Sequence, residues 1–284
     1  MQHLNYCRQL TKHCKDSIRS PRLNNELRTI FENVVDLNNA STKFLLPDGG
    51  RLFDDQHYRA LDESTPLRLP YQCIALEYRS NGRERGPNEP MPGREGPTYE
   101  DESFVKAPKR VVFAREIKGW IVVTIAFWTI HDANWRVLPD CAIPMTGYLD
   151  RTKEDGGRVP IKFAQVDTRV PLSDYMDELG ALLCLLNLLQ CSNVHVERSE
   201  PKKAGKKIKA ALPFDVYNIL TIDVPGTSFQ GASSGSHRSP REHLRRGHIR
   251  RLADGRRIWV NATVVASGRG AGVVTKDYVV RCNA

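Results

Sequence analysis

The densest chemistry in the chain lies between residues 241 and 260. Arg241, Arg245, Arg246, Arg250, Arg251, Arg256 and Arg257 surround His243 and His248, and Trp259 follows. A guanidinium fork binds phosphate through two parallel hydrogen bonds, and an indole face stacks on a base, so this set points to nucleic acid. With Arg238 added there are eight arginines. If all met single-stranded phosphates, the log–log salt slope would be roughly −5 to −6. Trp259 has a second reading, a hydrophobic plug that docks the segment. His243 and His248 have the chemistry of a general acid and base for RNA cleavage, and equally of contact or structural histidines.

A second basic cluster holds Lys202, Lys203, Lys206 and Lys207, with Arg198 and Lys209 at its ends. The formal net charge is +9. Residues 198–209 carry +5 of it and 237–257 carry +6, which leaves −2 for the rest. A near-neutral body with two local cationic patches is the footprint of an anionic partner, most often nucleic acid. The lysine cluster also reads as a plain loop.

Other constellations are weaker. Cys7 and Cys14 are seven apart, and so are Cys184 and Cys191. That is wider than the gaps zinc sites prefer, so His3, Cys7, His13 and Cys14 make a poor metal set, and Cys184 and Cys191 read as core. His131-Asp132 lacks a nucleophile to complete it. Glu77 and Glu116 sit in or beside apolar strands, where they would hold a ligand amine or pair with the arginines. Gly268, Gly270 and Gly272 fit a hairpin turn better than a dinucleotide loop. The sequence holds no Walker loop, nucleophile elbow or HExxH, so neither a cofactor nor an enzyme is expected.

These residues need a frame. Apolar positions spaced by three and four predict two helices before residue 40, divided at Pro21. The second covers about 22–37. Residues 72–79, 109–114 and 117–130 read as strands, and the lack of polar alternation in 121–123 and 125–128 predicts a central strand buried on both faces. Ser173, Asp174, Asp177 and Glu178 open a helix whose stretch 179–189 is apolar nearly all round, which makes it central. Residues 217–222 read as a strand. Residues 248–252 and 256–265 form a hairpin about Ala253-Asp254-Gly255, with a third strand at 273–280.

The expected fold is therefore α+β: N-terminal helices, a mostly antiparallel sheet with one buried helix, and a basic C-terminal β-hairpin after a flexible linker. The main domain covers 1–224, with loops at 81–108 and 198–211. Ten of the sixteen residues in 225–240 are Gly, Ser or Pro, which marks the linker. The arginine-rich tail is 241–284. Seven cysteines fit a reducing compartment, no apolar run is long enough to span a bilayer, and residues 2–15 lack a signal core. A cytoplasmic protein with no membrane partner is expected.

The run His243-Leu-Arg-Arg-Gly-His248-Ile-Arg-Arg, followed by Trp259-Val, resembles the C-terminal signature of a phage and mobile-element family. That family includes a type V-A anti-CRISPR protein that suppresses production of the type V effector nuclease. Leu69-Pro70 to Glu77, Ile117-Lys118-Gly119-Trp120, the apolar helix at 179–189, and Leu212-Pro213-Phe214 to Ile222 resemble further family segments in order. Coverage is about residues 60–265. The resemblance implies recognition of the effector's N-terminal nascent polypeptide during translation and loss of its mRNA. The basic patches suit that picture, with the tail on RNA or the ribosome, and cleavage is either intrinsic or the work of a host nuclease. It names no peptide-binding residues. The residues alone leave two alternatives, a ribonuclease using His243 and His248, and a phage DNA-binding accessory protein.

Overall fold

The computed structural model describes residues 4–51, 67–80, 109–129, 133–144, 158–160, 169–171, 176–200, 215–224, 243–245, 247–260, 263–265 and 279–282. Helices α1 (Tyr6–Ile18) and α2 (Asn25–Ala40) come first. Strands β1 (Thr42–Leu45), β2 (Cys73–Arg79), β3 (Lys109–Ile117), β4 (Trp120–Thr129), β5 (Asn134–Val137) and β6 (Cys141–Pro144) follow. After β7 (Arg158–Pro160) and β8 (Arg169–Pro171) come α3 (Met176–Leu188), β9 (Val194–Ser199) and β10 (Tyr217–Val224). The C-terminal region holds β11 (His243–Arg245), β12 (His248–Arg251), β13 (Arg257–Val260), β14 (Thr263–Val265) and β15 (Val279–Cys282).

Among the described residues nine strands form one sheet in the order β15-β10-β1-β2-β3-β4-β5, with β6 also on β4 and β9 also on β10. Pairings are mostly antiparallel; β1 lies parallel to β2 and β10, and β15 parallel to β10. The α+β class is as expected.

Alternation along the central strands builds two cores. Ile74, Leu76 and Tyr78 of β2 pack toward α3 with Val112 and Ala114 of β3. Cys73 and Ala75 pack toward α1 and α2 with Val111 and Phe113. Both faces are covered, which is why these strands lack polar alternation. The result is three layers: α1 and α2, the sheet, then α3. Helix α3 needs no polar stripe, because Leu179, Leu182, Leu185 and Leu186 are all buried. Gly50 (φ 69°) belongs to a turn pressed on this helix, where an added Cβ would stand 2.8 Å from Ala181 Cβ.

Boundaries shift by a few residues. The β3–β4 turn is Lys118-Gly119, both at positive φ, so β3 runs further than expected. Helix α2 starts later because Asn24 accepts the Leu27 N–H at 2.7 Å and caps it there. Arg198 and Ser199, expected in a loop, lie in β9, where the β10 ladder pairs them. Within the stretch expected as a tail, β15 pairs with β10 of the sheet and β14 pairs with β11. The linker 225–240 and the loop 81–108 lie outside the described residues. Among the described residues no helix is long and apolar enough to cross a membrane.

Candidate functional site

The arginine hairpin, β12 and β13, takes its shape from a tight turn. Asp254 accepts the Arg256 N–H at 3.0 Å and the Arg256 Nε–H at 2.7 Å. Those bonds, first the backbone one, hold its carboxyl below the usual carboxylate range. Gly255 supplies a φ of 85°. In the hairpin register Ile249 faces Trp259, and Arg250 faces Ile258. Side chains of one strand alternate between faces. Ile249 and Trp259 therefore point to the core, while His248 and Arg250 point away.

Trp259 is 3% exposed and belongs to the α3-side core. Its expected place among nucleic-acid contacts is corrected: the indole is the plug that docks the hairpin, with no face left for a base. Asn193 locks the plug. Its Nδ2 donates to the Trp259 carbonyl at 2.9 Å and to the Asp223 carbonyl at 3.2 Å, and its Oδ1 accepts the Trp259 N–H at 2.7 Å. One amide thus ties the hairpin to the sheet. Arg257 is an anchor too: its carbonyl accepts from Ser192 N at 2.8 Å and its guanidinium donates to Gln190.

The exposed cations of the hairpin are Arg250, Arg251 and Arg256. Arg250 has no partner among the described residues. Arg251 stands directly opposite Arg257. Like charges across a ladder repel, and an anion between them would relieve the repulsion. His243 and Arg245 lie in β11, paired with Val265 and Thr263. Arg241, Arg246, Lys202, Lys203, Lys206 and Lys207 lie outside the described residues, as do His3 and His131-Asp132.

The buried acids are structural. Glu77 holds neither a ligand amine nor an arginine. Its Oε2 accepts Tyr6 N at 2.7 Å and Tyr217 Oη at 2.9 Å, and its Oε1 accepts Cys7 N at 2.8 Å. Asn5 precedes α1 with φ 61° and makes no side-chain cap, so a glutamate from β2 satisfies the helix start. Burial nevertheless raises its pKa, against the lowering effect of these bonds. Glu116 accepts Leu69 N at 2.7 Å and pairs with Arg68, not with an arginine of the C-terminal region. Glu178 pairs with Arg110 at 2.9 Å.

The described cysteine thiols are buried. Burial pushes Cys14 and Cys141 to about 12 and Cys191 to about 11, so these are protonated and unreactive near neutral pH. Among the described residues no group of three or more His, Cys, Asp or Glu could hold a metal.

A second feature was not expected. A groove of roughly 500 Å³ opens where β1 meets β10 at a single register position, Phe44 opposite Asn218. Ser41, Thr42, Lys43, Tyr71, Val196, Arg198, Val216 and Asn218 line it. Tyr71 is 44% exposed, Val196 38% and Val216 37%. Lys43 is occupied: its ammonium donates to Asn38 O at 2.7 Å and Ser41 O at 3.0 Å at the end of α2. Arg198 has no partner among the described residues. Only the charge of Arg198 was visible beforehand, because the groove joins segments far apart in sequence.

No family model, curated protein or solved structure matches the chain.

Proposed function

We propose that the protein is a non-enzymatic regulator of the anti-CRISPR kind. It recognises the N-terminal nascent polypeptide of a CRISPR effector in the bacterial cytoplasm and lowers the effector mRNA, with a host nuclease doing the cutting. Its arginine hairpin contacts RNA or the ribosome. The observation that carries the reading is the two-sided hairpin: Trp259, Asn193 and Arg257 fix one face, Arg250 stands exposed on the other, and Arg251 and Arg256 are exposed near the turn. Anchoring the hairpin backbone lowers the ordering cost when its exposed guanidinium groups meet phosphates, which favours binding.

The test compares effector mRNA in bacteria with and without the protein. A control message carries an early frameshift that changes only the encoded N-terminal peptide. Loss of the in-frame message alone is expected. Equal loss of both would replace the reading with RNA-level recognition, and loss of neither would remove it. Competition between duplex DNA and single-stranded RNA for the purified protein checks the hairpin: preference for duplex DNA would favour a DNA-binding accessory protein.

A further inference from the structure

Among the described residues, strand β9 is an edge of the sheet. Strand β10 carries β9 along Tyr217–Ile222, while its other side is taken by β1 at Asn218 and by β15 from Thr221 onward. No described strand lies beyond β9. The ladder fixes which backbone groups are left over. Asp223 donates its N–H to Asn193 O at 2.9 Å. Antiparallel pairing alternates every second residue, so His195, Glu197 and Ser199 turn their N–H and C=O toward β10. Val196 and Arg198 turn theirs outward, and neither has a hydrogen-bond partner among the described residues.

Natural sheets blunt such an edge with proline, a bulge, several charges or a covering segment. Here the sequence is Val-His-Val-Glu-Arg-Ser, with no proline and no bulge, and its charges are confined to Glu197 and Arg198 at the far end. The side chains of Val196 and Arg198 share the groove face with Val216, Asn218 and Tyr71. The open edge and the groove are therefore one continuous surface: backbone donors and acceptors on one flank, apolar and aromatic walls on the other, and an unpaired cation at the end.

We propose that the open edge of β9 captures an extended, acidic polypeptide segment by strand addition, with an apolar residue beside Val196 and a carboxylate beside Arg198, two positions apart. This rests on the nascent-peptide reading above and gives it a place. Strand addition takes affinity from main-chain hydrogen bonds and specificity from alternate side chains, which is what this surface offers. Charge selects the acid: of the two cations that line the groove Lys43 is occupied, and Arg198 has no partner among the described residues. A nucleic acid would leave the outward N–H and C=O row unused.

The position of those groups gives a clean test. Val196→Pro and Arg198→Pro each remove an outward N–H and no β9–β10 hydrogen bond, so the fold should survive. The full chain is panned against displayed random dodecapeptides, and oligouridylate is titrated in parallel. Enriched peptides should carry Asp or Glu two positions from Val, Ile or Leu. Each proline variant should weaken the best peptide about tenfold, the scale of one lost hydrogen bond, with its unfolding midpoint unchanged. Arg198→Glu should shift preference to lysine-bearing peptides.

Absence of enrichment, or proline variants that bind as wild type, would overturn the proposal. So would loss of oligouridylate binding, rather than peptide binding, in the Arg198 variants. A dimer in gel filtration that Val196→Pro splits would give the edge to a second copy of this chain instead. Failure here is separable from failure of the functional reading. If Val196→Pro still removes only the in-frame message, the peptide is read elsewhere and the function stands. If peptides bind the edge and no message is lost, the function falls and the edge stands.

Discussion

The two ends of β9 are held in opposite ways. At its start Val194 is buried and Asn193, a neutral amide, makes three hydrogen bonds that fasten the arginine hairpin. At its far end Val196 and Arg198 are open, and the neighbouring strand is gripped from behind. Tyr217, between the groove residues Val216 and Asn218, donates its hydroxyl to the buried Glu77. One end is closed by packing and an amide that does not titrate. The other leaves a surface exposed over a carboxylate that does. Rigidity is thus placed beneath the exposed arginines, and exposure at the edge of β9.

The largest effect expected from breaking this arrangement is at the plug. Trp259→Ala empties a core position and should cost about 3–5 kcal/mol. Thermal unfolding would measure it, and RNA affinity should fall with it because the arginines lose their mount. A stability loss under about 1 kcal/mol would mean that the hairpin is loosely held.

Glu77→Gln tests the other end. A carboxamide offers one acceptor oxygen to three donors, so at least one N–H or O–H near Tyr6, Cys7 and Tyr217 stays unpaired. The cost is about 1–3 kcal/mol. The pH dependence has a definite sign. Burial raises the folded pKa of Glu77, so the folded protein binds this proton more tightly than the unfolded chain. Its contribution is fully present below the unfolded pKa and is lost as pH rises through the folded value. The variant lacks that slope, so its deficit against wild type should shrink as pH rises from the acid side. Denaturant midpoints across that range would show it, and a deficit that grows with pH would contradict the argument.

Much of the frame was legible because its signals are local. The apolar runs of β2, β3 and β4, the all-round apolar α3 and the Asp254-Gly255 turn each announce themselves within a dozen residues. What stayed hidden depends on contacts across the chain. Trp259 is closed by Asn193, and no local pattern says whether a tryptophan among arginines stacks or plugs. Glu77 caps a helix formed from the first residues of the chain, so it read as a spare charge in an apolar strand. Arg198 sits in a run of charge that looks like loop, and only pairing with Asn218 makes it a strand residue. Strand β15 joins the sheet beside β10, a neighbour that its own sequence does not specify.

Valine truncation along β9 gives a smaller, sharper contrast. Val194→Ala removes buried methyl groups and should cost about 1–2 kcal/mol, while Val196→Ala should stay within about 0.5 kcal/mol. Unfolding in urea would resolve the difference. Equal costs would mean that the edge at Val196 is covered in solution.

The smallest change in stability is expected at Arg250, and it isolates function from folding. The side chain is exposed, faces away from the core and has no hydrogen-bond or ion-pair partner among the described residues. Arg250→Ala should therefore leave the unfolding midpoint within about 0.5 kcal/mol of wild type. It should still weaken RNA binding and reduce the magnitude of the log–log salt slope by about 0.7, the share of one single-strand phosphate contact. Arg257→Ala provides the contrast. That side chain is tied to Gln190, so its removal should loosen the hairpin as well as lower the charge. If Arg250→Ala leaves both affinity and slope unchanged, the outward face of the hairpin carries no phosphate. The next cation to test would then be Arg251, exposed beside the turn and opposite Arg257.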